Sequence, residues 1–492
     1  MTKAITTCCV ILMLGVIAAG VHADSDDKKR LNVVFITLDD MNRDSIGVYG
    51  SKVPQTTPNI DQLASEGLRF EHAHVTIAIC QPTRAVWMTG RYPHNSGAYG
   101  FNTIKPGVPT LPETLRANGF YTGILGKTEH VVPSRKKAFE YARDRSEMHN
   151  GRSQKLYGKF MAEFLAEAKS SDRPFFLMVN THDPHRPFDR RTVPEKRKPV
   201  KIVRRKNRQG IERVTYQGDY PAPSRIYQPD EIVIPGFLPD VPAIREEIAQ
   251  YYSSVRRADD VVGRVLKELA EAGYRDNTVV MLKSDHGIPV PFAKTNVWRH
   301  STITPWIVRW PDKIKPNTQD RIHSIAGVDF APTILDILQI DPMDGMDGRS
   351  FLPVLQGETQ ADREYVFTHI NTIASGRSYT MRSVQGQRFG LIWNGWSDGQ
   401  TTFRNESMSG LTWKAMVKAS QDDPKLAARV KHYSYRTTFE FYDYEQDPDA
   451  LNNLFESPDH QDKVKAFQAR LAELMQSTND HKRDEYLADL KP

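Results

Sequence analysis

Cysteine is almost missing from this chain, with three in 492 residues. Cys8 and Cys9 sit in an apolar run near the start, which leaves Cys80 alone in the rest of the sequence. One cysteine cannot close an internal disulfide, so a disulfide-stapled scaffold is excluded. Taken alone, Cys80 reads as a small buried hydrophobe. Long apolar runs are also lacking. Residues 8–19 are too few to span a bilayer comfortably and no second run follows, so no membrane span is expected. Lys3, that run and Val21-His22-Ala23 instead compose a secretory signal over residues 1–23, cut after Ala23. Export follows: periplasmic or secreted, or lysosome-type or extracellular in a eukaryote. Cys8 and Cys9 lie too early, without a lipobox, for a lipid anchor. Low-complexity tracts and internal repeats are absent, which excludes a disordered chain and a solenoid.

A large excess of one charge is missing too. The formal charge is +6, and loss of Lys3 with the signal lowers it to about +5. A mildly basic exported protein is compatible with an anionic substrate without pointing to one. Basic residues concentrate at 190–230, in Arg190-Arg191, Lys196-Arg197-Lys198, Lys201 and Arg204-Arg205-Lys206. That stretch lacks interleaved aromatics, so nucleic acid is not expected as a partner. It reads as a solvated loop, or as a rim that attracts a polyanionic glycan.

What is present is a large apolar complement, 39% of the residues, enough for a sizeable core and two domains. The division is expected at 24–359 and 360–492. Residues 31–38 form a β-branched apolar run, a buried strand that ends in Asp39-Asp40. Adjacent carboxylates repel unless a cation lies between them, and the C-terminal edge of an open α/β sheet is where ligands bind. Residues 121–127 form a second strand, ending in Lys127-Thr128-Glu129-His130, and residues 174–180 a third, ending in His182-Asp183-Pro184-His185-Arg186. Two histidines in four residues at a strand end favour function. Residues 278–284 form a fourth strand, followed by Asp285-His286-Gly287. A helix that starts just after Cys80 would point its free N–H groups at the same place, worth up to ~2 kcal/mol for an anion. Residues 243–273 hold a long amphipathic helix with Gly273 as its cap. Short strands at 365–369, 389–393 and 439–443 and a last helix at 459–477 predict a small antiparallel sheet packed with a helix.

Cys80-Gln81-Pro82-Thr83-Arg84, continued by Thr89-Gly90-Arg91, resembles the signature of type I sulfatases, with Thr83 where the family usually has Ser. The strand-end clusters and Asp447-Pro448-Asp449-Ala450-Leu451-Asn452-Asn453-Leu454 match the family in order over nearly all of the mature chain. The resemblance implies an alkaline-phosphatase-like fold: a large mixed α/β sheet flanked by helices, plus a smaller C-terminal α+β domain. It implies that a formylglycine-generating enzyme oxidises Cys80 to formylglycine, whose hydrate is the nucleophile. Asp39, Asp40, Asp285, His286 and residue 80 would bind one divalent metal, Ca²⁺. Arg84, Lys127 and Lys294 would hold the sulfate charge, His185 would protonate the leaving group, and His130 would take a proton from the second hydroxyl of the hydrate.

Within the family the resemblance is strongest to the heparan N-sulfatase branch. It is carried by the His185 and Asp285 segments, by Lys294-Thr295-Asn296 and by Met381-Arg382-Ser383-Val384-Gln385. That implies N-sulfoglucosamine as substrate, with Asp183, Arg186 and Arg382 contacting the sugar. His286 departs from the branch, which has Asn there, and an imidazole matches hard Ca²⁺ less well than an oxygen does. The alternatives are an O-sulfatase on another sulfated glycan, a phosphonate or phosphate-ester hydrolase of the same superfamily, and a catalytically dead sulfated-glycan-binding protein. A homodimer is allowed, not required.

Overall fold

Every residue of β1 (Asn32–Asp39) is buried in the computed structural model. Val34, Ile36 and Leu38 join one apolar cluster, while Val33 and Phe35 join another. Successive side chains of a strand point to opposite faces, so β1 has core on both sides and belongs in the middle of a sheet. The structure describes residues 31–131, 138–189, 201–206, 212–217 and 220–491. The signal at 1–23 and much of the basic stretch at 190–230 lie outside the described residues.

The strands that follow are β2 (Leu68–His74), β3 (Tyr121–Leu125), β4 (Tyr141–Arg143), β5 (Phe175–Pro184), β6 (Lys201–Lys206) and β7 (Glu212–Gln217). Then come β8 (Thr278–Ser284), β9 (Trp306–Arg309) and β10 (Thr318–Ala326). The second sheet holds β11 (Val366–Thr372), β12 (Ser378–Gln385), β13 (Phe389–Asn394) and β14 (Phe439–Asp443). Eight strands form the large sheet in the order β10-β2-β9-β8-β1-β5-β3-β4. It is mixed, because β9 runs antiparallel to both of its neighbours. The stretch β8-β1-β5-β3 is parallel throughout. Parallel neighbours end at the same edge, so this stretch brings all four strand-end clusters together. The second sheet, β11-β12-β13-β14, is antiparallel throughout.

Most expected elements appear within a few residues of their place. The amphipathic helix runs Pro242–Glu271, and Gly273 takes φ +81 just beyond it. Three expectations change. Part of the basic stretch is a hairpin, β6 paired antiparallel with β7, and not only a loop. β12 was not foreseen as a strand, because its apolar and polar residues alternate only weakly. The helix at Gln461–Ser477 is not the last one, since Arg483–Asp489 forms another. Among the described residues, no helix is long and apolar enough to cross a membrane.

Candidate active site

β1 ends in Asp39, and the backbone then turns through a left-handed Asp40 (φ 69). Lys127, just past β3, is left-handed as well (φ 53). Non-glycine residues reach that region at a cost, so local strain falls on two of the candidate residues. Cys80 is the first residue of the fully buried helix Cys80–Thr89, which Gly90 caps at its far end with φ 62. Thr83 donates to the Ile77 carbonyl, a bond that the usual serine could also make.

These elements converge on one cluster. Asp39, Asp40, Cys80 and His286 each offer a ligand atom, and the four atoms lie within 4.8 Å of one another. Cys80 Sγ is 3.3 Å from His286 Nε2, and His286 Nδ1 is 3.2 Å from Asp40 Oδ1. Among the described residues, Asp39 Oδ1 and Asp40 Oδ1 are buried without a hydrogen-bond partner. Lone pairs left this way in a buried acidic cluster suit a cation.

Cations surround the carboxylates. Lys127 contacts Asp39 directly. Lys294 Nζ lies 2.9 Å from Asp40 Oδ2 and 2.8 Å from Glu406 Oε2. Arg84 works from beneath: it donates to Asp285 Oδ2 at 3.0 Å, to Thr37 Oγ1 at 2.9 Å and to Asn180 Oδ1 at 2.5 Å. Asp285 was expected as a metal ligand, yet it accepts both from Arg84 and, on Oδ1, from the Asp40 N–H at 3.0 Å. Each carboxylate oxygen has a second lone pair, so Asp285 borders the cluster while holding Arg84 in place.

The electrostatics separate adjacent acids. Burial would raise the Asp39 carboxyl, but Lys127, His185 and His182 together hold it well below the usual carboxylate range. Burial lifts Asp40 well above that range despite Lys294, and Asp39 adds to the rise. Burial, with Asp39 beside it, pushes Asp285 up to about 7 against the pull of Arg84. Burial also raises the Cys80 thiol well above its ordinary value, although Lys294 opposes this. A thiol held neutral is a poor nucleophile, so an unmodified Cys80 is a weak candidate for direct attack.

His185 is also in place. Its Nδ1 lies 2.5 Å from the Arg186 carbonyl and so acts as donor there. This leaves Nε2 facing the site, 4.0 Å from Asp40 Oδ2 and 4.0 Å from Glu406 Oε1. Burial, with Lys294 nearby, lowers its pKa to about 3. His130 follows Lys127 on the short helix Thr128–Val131, which turns Glu129 outward and His130 into a half-buried position. Its Nδ1 is buried and unpartnered among the described residues, and burial, with Lys127, lowers its pKa to about 2.

Three residues expected at the sugar are tied up elsewhere. Arg382, on β12, is fully buried and donates to Asp480, to Asn371 Oδ1 and to the carbonyls of Ile370 and Met381. Its guanidinium is spent inside the second domain, which corrects its assignment as a substrate contact. Asp183 is buried between Arg152 and Arg257, with both oxygens taken. Arg186 donates to Glu247 at 2.9 Å and to the Pro289 carbonyl. Asp183 is enclosed between its two arginines, and Arg186 braces the His185 loop.

Two site residues escaped the sequence reading. His182 Nδ1 is 3.2 Å from Asp39 Oδ2, and its ring stacks on His185 with centroids 4.8 Å apart. Its signal was the pair of histidines at the end of β5. Glu406 comes from a turn between β13 and β14, and no local pattern marks it.

The family model Sulfatase matches residues 31–340, and one described as N-sulphoglucosamine sulphohydrolase, C-terminal, matches residues 285–398. The chain belongs to the sulfatase family and is a hydrolase. Within the family it is similar to N-sulphoglucosamine sulphohydrolase of Homo sapiens, 30% identical over 96% of this chain and 93% of that protein. An ulvan-active sulfatase of Formosa agariphila is 25% identical over 89% of this chain and 73% of its own length. The fold is that of a solved protein in complex with its substrate D-glucosamine-2-N,6-O-disulfate, with TM-score 0.69, 20% identity, 93% of this chain and 100% of that one. It is also that of a phosphonate monoester hydrolase of Agrobacterium radiobacter, with TM-score 0.64, 18% identity, 91% of this chain and 96% of that one.

Proposed function

We propose that this protein is an exported sulfohydrolase acting on N-sulfoglucosamine at the non-reducing end of a heparan-type glycan. In this reading Cys80 is oxidised to formylglycine, and one Ca²⁺ is held by Asp39, Asp40, His286 and residue 80, with Asp285 alongside. The catalytic domain spans 24–359 and the smaller domain 360–492. The observation that carries the reading is the position of Cys80 Sγ, grouped with Asp39, Asp40 and His286 at the start of a buried helix. Around that point Arg84, Lys127 and Lys294 face the carboxylates of Asp39, Asp40, Asp285 and Glu406. With all four acids ionised, as a bound divalent ion would hold them, three cations leave one negative charge, and the ion turns it into one positive charge, which suits a monoanionic sulfate.

When bound, the cation would polarise the sulfate oxygens, and oxidised residue 80 would supply the attacking oxygen. The rest falls to the chain's own side chains. Lys127 and Lys294 bind the sulfate oxygens, and Arg84 fixes Asp285 beneath them. His185 keeps its Nδ1–H on the Arg186 carbonyl, so Nε2 must first take up a proton, and the doubly protonated ring then passes that proton to the departing nitrogen. His182 stacks on His185 and limits its rotation. His130 would accept the proton of the second hydroxyl.

The substrate is tested by comparing kcat/KM for N-sulfoglucosamine, glucosamine-6-sulfate, a galactose sulfate and an aryl phosphonate ester. N-Sulfoglucosamine is expected to lead by at least about tenfold, or ~1.4 kcal/mol at the transition state. A lead for either O-sulfated sugar would replace the substrate and keep the chemistry, and a lead for the phosphonate would replace both. The metal is tested by exhaustive chelation followed by readdition. Activity should vanish and return with Ca²⁺. Full activity without metal would exclude the cation, and recovery with Zn²⁺ but not Ca²⁺ would show that His286 sets the preference.

A further inference from the structure

Glu406 is out of place in a site built to bind an anion. It lies in the turn Glu406–Ser409 of the second domain and reaches the cluster across the domain boundary. Its side chain is 38% exposed, whereas those of Lys294 and Asp40 are 2% and 0% exposed. The order Asp40, Lys294, Glu406 therefore runs from the buried cluster out to solvent, the side from which substrate must enter. Glu406 Oε1 is 4.0 Å from His185 Nε2, the atom that faces the leaving group in the proposed function. A carboxylate there repels an incoming sulfate. Such a cost is explained when the same group favours some other feature of the substrate.

The leaving group supplies that feature. Hydrolysis of a sulfamate balances as R–NH–SO₃⁻ + H₂O → R–NH₃⁺ + SO₄²⁻. The N–S bond breaks, the oxygen of water ends on sulfur and both of its protons end on nitrogen, so a cation appears where a neutral nitrogen stood. Hydrolysis of an O-sulfate balances as R–O–SO₃⁻ + H₂O → R–OH + HSO₄⁻, and its leaving group ends neutral. Only the first reaction builds positive charge on the leaving atom. We propose that Glu406 is a specificity-determining residue that stabilises the ammonium formed as the N–S bond breaks, and so favours sulfamates over sulfate esters. This rests on the reading of the site as a sulfohydrolase with His185 as acid. It explains why a residue of the second domain crosses to the catalytic cluster. Asn405, its neighbour, donates to the Lys294 carbonyl at 3.3 Å and to Tyr433 Oη at 3.0 Å, which fixes the turn at the required height.

The test compares the metal-loaded, oxidised full chain with its Glu406→Gln and Glu406→Asp variants. In Glu406→Gln the ratio of kcat/KM for N-sulfoglucosamine over an aryl sulfate should fall about tenfold or more, the range of one hydrogen bond to a charged group. Glu406→Asp should restore part of it. Binding of glucosamine, measured by calorimetry at a pH where its amine is protonated, should weaken about tenfold in Glu406→Gln, while that of N-acetylglucosamine stays unchanged. An equal loss on both substrates, with glucosamine binding unaltered, would reduce Glu406 to a prop for Lys294 and overturn the proposal. A wild-type preference for O-sulfates would overturn the substrate reading instead, and the glucosamine measurement would still decide the role of Glu406.

Discussion

Replacing Cys80 with alanine is expected to abolish turnover and leave the fold intact. The residue is 5% exposed and stands at the first position of the Cys80–Thr89 helix. Alanine removes one heavy atom and favours the helix, so the stability cost is on the order of 1 kcal/mol. The loss of function should be far larger, because the nucleophile itself is gone. Losses of a nucleophile commonly reach about 10⁴–10⁶ in kcat. Thermal unfolding and a sulfate-release assay on the same preparation separate the two effects. Peptide mass spectrometry of the active wild type should show residue 80 without sulfur and with an aldehyde oxygen. A fully active preparation that carries only the free thiol would end the formylglycine mechanism. Burial already argues against the thiol as nucleophile, since it keeps the proton on sulfur.

Replacing Arg84 with methionine should cost both stability and activity, whereas Cys80→Ala costs activity almost alone. Arg84 is fully buried, and its two terminal nitrogens bind Asp285, Asn180 and Thr37. Methionine fills a similar volume but leaves Asp285 buried without its cation, with Asp39 and Asp40 near it. Breaking one side of a buried pair typically costs about 3–5 kcal/mol. Chemical denaturation should show that loss, and sulfate release should fall with it because Asp285 also accepts the Asp40 N–H. Arg84→Lys should rescue little, since one ammonium cannot reach Asp285 and Asn180 in the same fork. Unchanged stability in Arg84→Met would mean that the pair contributes nothing net and that Arg84 serves substrate alone.

The carboxylates at the ends of β1 and β8 were legible because each follows an unmistakable apolar run. A buried parallel strand must be apolar along its length, so the first polar residues after it mark the sheet edge. Cys80 was legible through its neighbours, and the helix it starts formed where Pro82 and Gly90 allow. Arg382 misled for the opposite reason. A short segment match shows which residues are kept together, not which way a strand faces. β12 turns Arg382 into the interior of the second domain, where Asp480 meets it. A strand shifted by one residue would have faced it the other way. Asp183 and Arg186 lie within two residues of His185 in sequence, but their side chains are held by Arg152 and Arg257 and by Glu247, partners that come from distant parts of the chain.

The sequence by itself determined the four strands that end in site residues and the chemistry at their ends, because apolar periodicity and charged residue types are local properties. Which of those ends meet was decided by the parallel arrangement of β8, β1, β5 and β3. The tertiary structure alone brought Glu406 to Lys294 and His185, and it alone pinned the Lys294 loop through Arg436 to Asn296 at 2.9 Å and Gln385 to the Val297 carbonyl at 2.9 Å. Contacts between residues so distant along the chain leave no periodic trace. They depend on how two sheets pack, and that is set by the sum of many apolar surfaces and not by any one segment.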